Sequence, residues 1–393
     1  MGNLKVNTMK YSYNDVMVEP AILSTINHRS ECNPFDENGM LPLFTAPMDS
    51  VVNKKNFEMF EKNGIIPILP RTENLVDRLF YACHNKWAAF SLQEFEEEFT
   101  NGKYITADNI KALIDIANGH VARLYELVRK AKSIYGDKIQ VMVGNIANPE
   151  TYRVCVESKV DYVRCSIGTG CGCITCSNTA IGYPIASLIN EIYEIKQEYI
   201  EKGIDKNTLP KIIADGGIRN YSDIIKALAL GADYVMVGSV FARMLESSAL
   251  KIMERGDKKR IRLKFPIERY RDINFRNGGW FARYTDEFIE EMRRKGRTVT
   301  DDTYDEKPLG EIYAKFYGMA SKAGQIAMKG KKVHTSEGIE KSLPVTYTMA
   351  TWVENFTDYI RSAMSYTNSR TLDDLREANV VVVSQNTYLS VNK

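Results

Sequence analysis

Long apolar runs are missing from this 393-residue chain. No stretch approaches the roughly 20 consecutive apolar residues that span a bilayer, and the opening, MGNLKVNTMKYSYND, has no apolar core of the kind a secretory leader carries. A membrane role is therefore not expected, and the cytoplasm is the expected compartment. An excess of one charge is missing too. With 52 basic and 50 acidic residues the net charge is +2, so no overall field argues for a nucleic-acid partner or a lipid surface. Internal repeats and low-complexity tracts are absent. Histidine is scarce, at four residues, and neither His120 nor His334 has a metal-like or triad-like spacing. Seven cysteines, an odd number, with Cys171, Cys173 and Cys176 crowded together, fit a reducing compartment better than a disulfide framework. Gly168-x-Gly170 is a weak signal on its own and no full Rossmann fingerprint appears, so a nicotinamide cofactor would bind without that fold.

What is present is a rhythm. At 44% hydrophobic composition the chain can bury at least one large core. Short β-like runs at 41–47, 64–69, 87–92, 110–117, 139–145, 161–166, 211–215 and 233–239 alternate with amphipathic stretches such as Lys54–Lys62, Thr72–His84, Val121–Ile134, Pro149–Ser158, Ile185–Lys202 and Tyr221–Leu230. Eight alternations predict a parallel (β/α)8 TIM barrel, with an open doubly wound sheet as the competing arrangement. A barrel builds its site just after its strands. PMDSV (47–51), PRTEN (70–74), NGH (118–120), GNIANPE (144–150), DGGIRN (215–220) and GSV (238–240) all fall there.

The rhythm stops after the eighth strand. Residues 251–316 are charged and aromatic-rich, with little capacity to form a core. They read as an insertion within a single domain spanning 1–393, either a lid, an oligomer contact or a solvated excursion.

Two groups of residues point to chemistry. Gly216, Gly217, Gly238 and Ser239 offer backbone N–H groups at the ends of the seventh and eighth strands, a recurrent phosphate site in barrels. Asp215 either accepts a ribose diol or caps the turn that follows. Between the sixth strand and its helix lies the loop SIGTGCGCITCSNTAIGYP (166–184). In it Cys173 is either a nucleophile stabilised by backbone amides or an inert small side chain, and a zinc reading of the three cysteines lacks a partner pair at finger distance. Asp115 either anchors a polar cofactor, transfers protons or caps the next helix.

Gly168, Gly170, Cys173 and Thr175, closed by GYP at 182–184 and joined by the DGGIR and GSV turns, resemble the inosine monophosphate dehydrogenase and guanosine monophosphate reductase family across nearly the whole chain. The resemblance implies that Cys173 attacks purine C2, giving a covalent thioimidate. It implies that Asp215, Gly216, Gly217, Gly238 and Ser239 hold the ribose and 5′-phosphate, with Ser50, Tyr317, Gly318 and Met319 lining the nucleotide. Asp115, Asn118, Gly119 and Arg164 would face the nicotinamide cofactor, NADPH or NAD. Carbonyls at Gly168, Gly170 and Cys173 would bind a monovalent cation such as K⁺, and the assembly would be a homotetramer.

Within the family the chain is closer to the reductases. No regulatory domain fits between strands two and three, and the 17 residues between Met319 and Glu337 contain no Arg-Tyr pair to activate water. DIANGH (115–120) resembles the reductases' D-x-A-N-G, and Thr175 with Glu337 matches the pair that handles ammonia. The implied reaction is NADPH-dependent conversion of GMP to IMP. Oxidation of IMP with NAD is the alternative, which Arg164 and PMDSV favour. A flavin-binding barrel and a non-catalytic nucleotide-binding relative are further alternatives.

Overall fold

A computed structural model of the chain describes residues 9–170, 174–255, 261–264, 267–319, 321–329 and 338–384. Eight parallel strands, Leu43–Thr45, Ile68–Leu69, Trp87–Phe90, Ile110–Asp115, Ile139–Ile146, Tyr162–Cys165, Lys211–Asp215 and Tyr234–Val237, pair in sequence order, and the eighth pairs with the first. The remaining seam is spanned by a parallel bridge between Phe44 and Ile66, with Thr45 N donating to Ile66 O at 3.0 Å and Ile66 N to Leu43 O at 2.9 Å. The open-sheet arrangement is thereby excluded, and the chain forms a (β/α)8 barrel.

Period-two alternation sorts each strand into two faces. Outward residues such as Ile110, Ala112, Ile114, Val141, Val143, Val163, Ile212 and Ala214 join the helices in one large core. Inward residues form a second cluster, in which Phe44, Trp87, Tyr162 and Tyr234 fill the lower barrel. Ring centroids lie 5.2 Å apart for Phe44 and Tyr234 and 5.0 Å for Trp87 and Tyr162, the edge-on contacts that aromatic quadrupoles favour. The alternation that puts these rings below puts Asp115, Arg164 and Asp215 at the upper end of the same inward faces.

The expected helices form at Phe57–Lys62, Leu75–Cys83, Ala122–Tyr135, Thr151–Glu157, Ile185–Glu201 and Tyr221–Ala229. After Gly238 only Ser239–Ala242 is helical. An unanticipated helix, Leu92–Phe99, follows the third strand, started by a capping box in which Ser91 Oγ accepts from Glu94 N and Glu94 accepts from Ser91 N. Outside the barrel sheet Val16–Val18 pairs antiparallel with Val380–Val382, and the helix Met349–Tyr366 buries Trp352, Phe356 and Ile360.

The expectation of little core-forming capacity after the eighth strand is corrected. Lys251–Arg255, Ile261–Lys264, Tyr270–Arg276, Gly279–Tyr284, Lys307–Tyr317 and Glu340–Pro344 form an antiparallel sheet with its own buried cluster of Trp280, Ala282, Leu309, Ile312, Ala314 and Met253. Asn277 and Gly278 both have positive φ, 51° and 76°, as a tight two-residue hairpin requires. Trp280 is 1% exposed and donates through Nε1 to Val345 O at 2.7 Å. Trp280→Ala should therefore cost about 3–5 kcal/mol, read as a lowered urea midpoint.

Lys251, where the sheet leaves the barrel, is buried, and its ammonium donates to Ser247 O and Oγ, each at 2.7 Å, and to Ala249 O at 3.1 Å. Burial pulls its pKa down to about 7, against a smaller upward pull from Glu246. From pH 7 to about 10 the unfolded chain keeps the proton that the native lysine has released, so stability rises with pH across that window. Wild type should gain stability over Lys251→Met as pH is raised from 7 to 10, measured by paired denaturant titrations; a constant difference would contradict this.

Candidate active site

The upper ends of the barrel strands surround a cavity of about 250 Å³. Its polar wall is built by Arg164, 7% exposed, which reaches across the barrel. Nη1 donates to Asp115 Oδ1 at 2.6 Å, while Nη2 and Nε donate to Asp215 Oδ2 at 2.9 and 3.2 Å. Burial opposes the guanidinium's charge, but the Asp215 and Asp115 carboxylates outweigh it and raise the Arg164 pKa above the ordinary arginine value. Asn145 Nδ2 adds a third donor to Asp215 Oδ2 at 2.7 Å. Neither aspartate caps a helix: Val121 precedes the helix after Asp115, and Asn220 Oδ1 accepts from Asp223 N at 3.0 Å ahead of the helix after Asp215.

The loop after the sixth strand is docked on the loop after the seventh. Gly217 N donates to Thr169 O at 3.1 Å, so this amide, expected to be open to a ligand, already has a partner here. At Gly216, φ is +101° and a Cβ would lie 2.7 Å from Thr169 Oγ1, so the close approach of the two loops requires glycine. Cys176 Sγ is seated against Ile181 O at 2.9 Å and Ile167 O at 3.3 Å, fastening the base of the loop. Tyr13 packs beneath: a Cβ on Gly217 would lie 3.4 Å from its ring, and its buried hydroxyl has no partner among the described residues.

Of the residues expected from sequence, Asp115, Arg164, Gly168, Gly170, Thr175, Asp215, Gly216, Gly217, Gly238, Ser239, Gly318 and Met319 all line this cavity. Cys173 and Glu337 lie outside the described residues, as do Cys171 and His334. Four expected residues stand back from the lining. Asn118 is exposed and its Oδ1 accepts from His120 N at 3.1 Å. Gly119 N donates to Asn145 O at 2.8 Å. Ser50 is buried with an unpartnered Oγ among the described residues. Tyr317 turns away, and its neighbour Phe316 lines the cavity instead. His120 is a clip between loops: Nε2 accepts from Ala147 N at 3.1 Å, leaving Nδ1 to donate to Thr151 Oγ1 at 3.0 Å. Among the described residues no group of three or more His, Cys, Asp or Glu is placed to hold a metal.

Sequence reading missed Asn145 and Tyr13. Asn145 lies in a segment recognised as a strand end, but its contact with Asp215 crosses the barrel and leaves no local signal. Arg71, in the PRTEN segment after the second strand, donates through Nη1 to Asp115 O at 3.1 Å, and its Nε is buried without a partner among the described residues.

The model of the IMP dehydrogenase / GMP reductase domain matches residues 88–263, the third to eighth barrel strands and the start of the antiparallel sheet. Over these residues the chain is similar to that domain. The GMP reductase of Staphylococcus carnosus is 26% identical over 399 aligned residues, which take in 96% of this chain and 98% of that protein. That of Clostridium acetobutylicum is 25% identical over 395, covering 96% and 97%. That of Bacillus subtilis is 29% identical over 259, covering 63% and 75%. The Arg164 bridge falls inside the matched domain, while the antiparallel sheet lies mostly beyond it.

Removing the bridge should be costly. Arg164→Leu leaves two facing carboxylates without their cation, and breaking such a buried pair costs about 3–5 kcal/mol. Urea unfolding measures the loss, and an additional Asp115→Asn should recover part of it.

Proposed function

We propose that this chain is a GMP reductase-like oxidoreductase that converts GMP to IMP and ammonia. The observation that carries the reading is one cavity walled at once by the Cys173-bearing loop's ends, Gly168, Gly170 and Thr175, by Asp215 with the glycine turns, and by the Asp115–Arg164 pair. The relatives named GMP reductase, two of them aligned along nearly the whole chain, favour this reaction over the dehydrogenase.

In the proposed route the Cys173 thiolate adds to purine C2. The C2–N bond then breaks as Thr175 and Glu337 deliver a proton to the departing nitrogen, which leaves as ammonia. The purine remains joined to sulfur as a thioimidate. Addition of hydride at C2, which reduces the purine by two electrons at the expense of a nicotinamide cofactor, and expulsion of the thiolate would give IMP. Residues able to face a nicotinamide fit the group: Asp115 and Arg164 border the cavity, and Arg71, which donates to Asp115 O, has a buried Nε without a partner among the described residues. When bound, the reduced cofactor supplies the hydride; the choice of NADPH follows the resemblance. Asp215 Oδ2 is occupied by Arg164 and Asn145, which orients the carboxylate so that Oδ1 can accept a ribose hydroxyl.

With purified protein, GMP and NADPH, absorbance at 340 nm should fall. A rise only with IMP, NAD and K⁺ would assign the dehydrogenase reaction, and no change in either mixture would contradict both. Cys173→Ala should reduce turnover by at least about 1,000-fold and leave GMP affinity within a few-fold; retained turnover would overturn the covalent route.

A further inference from the structure

The strand Lys307–Tyr317 carries the antiparallel sheet to the rim of the cavity, delivering Phe316, Gly318 and Met319 to its lining. Alternation turns the intervening Tyr317 the other way. Its hydroxyl donates to Asp49 Oδ2 at 2.5 Å. Asp49 follows Met48, which lines the cavity from the loop after the first barrel strand. One side-chain hydrogen bond therefore joins two walls that belong to different sheets.

Both ends of this bond are fixed. The Asp49 carbonyl accepts from Ser248 Oγ at 2.6 Å, holding the first loop to the segment after the eighth strand. The carboxylate's other oxygen, Oδ1, is buried with no partner among the described residues, so the phenol is a large part of what keeps this group satisfied. On the far side, Ser321 N donates to Gly318 O at 2.8 Å and Gly324 N to Ser321 Oγ at 3.1 Å. A Cβ on Gly324 would come within 2.5 Å of Met319 O. The helix Lys322–Lys329 thus rests on the Gly318–Met319 turn from outside, while Tyr317 ties that turn to the barrel.

We propose that Tyr317 is a positioning residue: through Asp49 it sets the placement of Phe316 and the Gly318–Met319 turn over the cavity, and so the affinity for the nucleotide, without touching it. This rests on the nucleotide reading of the cavity and deepens it. Losing the phenol leaves a buried carboxylate short of a donor, an imbalance relieved by letting water in and the turn move. Asparagine at position 49 keeps an acceptor for the phenol, whereas leucine does not.

The test combines two readouts on the full chain. Hydrogen–deuterium exchange of peptides spanning the turn reports its fixation without ligand, with peptides from Ile139–Ile146 as the internal control for global stability. Calorimetric titration with GMP, and steady-state kinetics with NADPH, report the consequence. Tyr317→Phe, which removes only the hydroxyl, should speed exchange at the turn but not in the control strand. It should weaken GMP binding roughly ten- to a hundredfold, and raise KM for GMP with kcat changed less than about threefold. Asp49→Leu should behave like Tyr317→Phe, Asp49→Asn should fall between it and wild type, and the Tyr317→Phe/Asp49→Leu pair should be no worse than either single change. Turn exchange and GMP affinity both unchanged in Tyr317→Phe would overturn the proposal, as would faster exchange with unchanged affinity. Faster turn exchange in a protein whose wild type binds no GMP would support the tie while overturning the nucleotide reading.

Discussion

Three charged groups meet at the mouth of the barrel because strand geometry leaves them no other place. Asp115, Arg164 and Asp215 are the uppermost inward residues of the fourth, sixth and seventh strands, and their side chains converge within hydrogen-bonding distance. Two carboxylates facing each other in a partly desolvated space repel strongly; the guanidinium between them turns that repulsion into a cross-brace. It leaves the trio with a net single negative charge instead of two, which matters for any site meant to admit an anion. The loops after strands four to seven keep their relative heights because they hang from this brace and from Asn145.

The barrel interior is thereby divided into two storeys by one rule of alternation. Below, four aromatic rings make a dry plug; above, the same strand faces present charge, glycine and the cavity. Met236 and Ala46 belong both to the buried cluster and to the cavity wall, so the floor of the site is the roof of the plug. Such a floor is rigid, since close-packed interiors transmit small displacements instead of absorbing them.

Much of this was legible in the residues. Eight apolar runs with polar, glycine-rich ends specified the barrel, and DGGIR, GSV and Gly168-x-Gly170 specified which loops meet, because strand order alone brings those ends together. The helix Leu92–Phe99 escaped notice because its three consecutive glutamates mask an amphipathic pattern that Phe95 and Phe99 define. The antiparallel sheet escaped because its charged faces dilute the period-two signal; the Asn277–Gly278 pair was the cue that could have disclosed a hairpin. Partners across the barrel, Asn145 for Asp215 and Asp49 for Tyr317, have no sequence signature, since their spacing along the chain bears no relation to their distance in space.

The pairing of Val16–Val18 with Val380–Val382 has a consequence for biogenesis. Tyr13, just ahead of this strand, packs beneath the glycine turn, and its carbonyl receives Lys226 Nζ at 2.9 Å. At synthesis rates of roughly 5–20 residues per second, Val16–Val18 waits about 20–70 s for the strand that completes its pairing. The barrel sheet, whose last strand is Tyr234–Val237, is made well before that partner, so Val16–Val18 is paired only after the barrel strands are all in place.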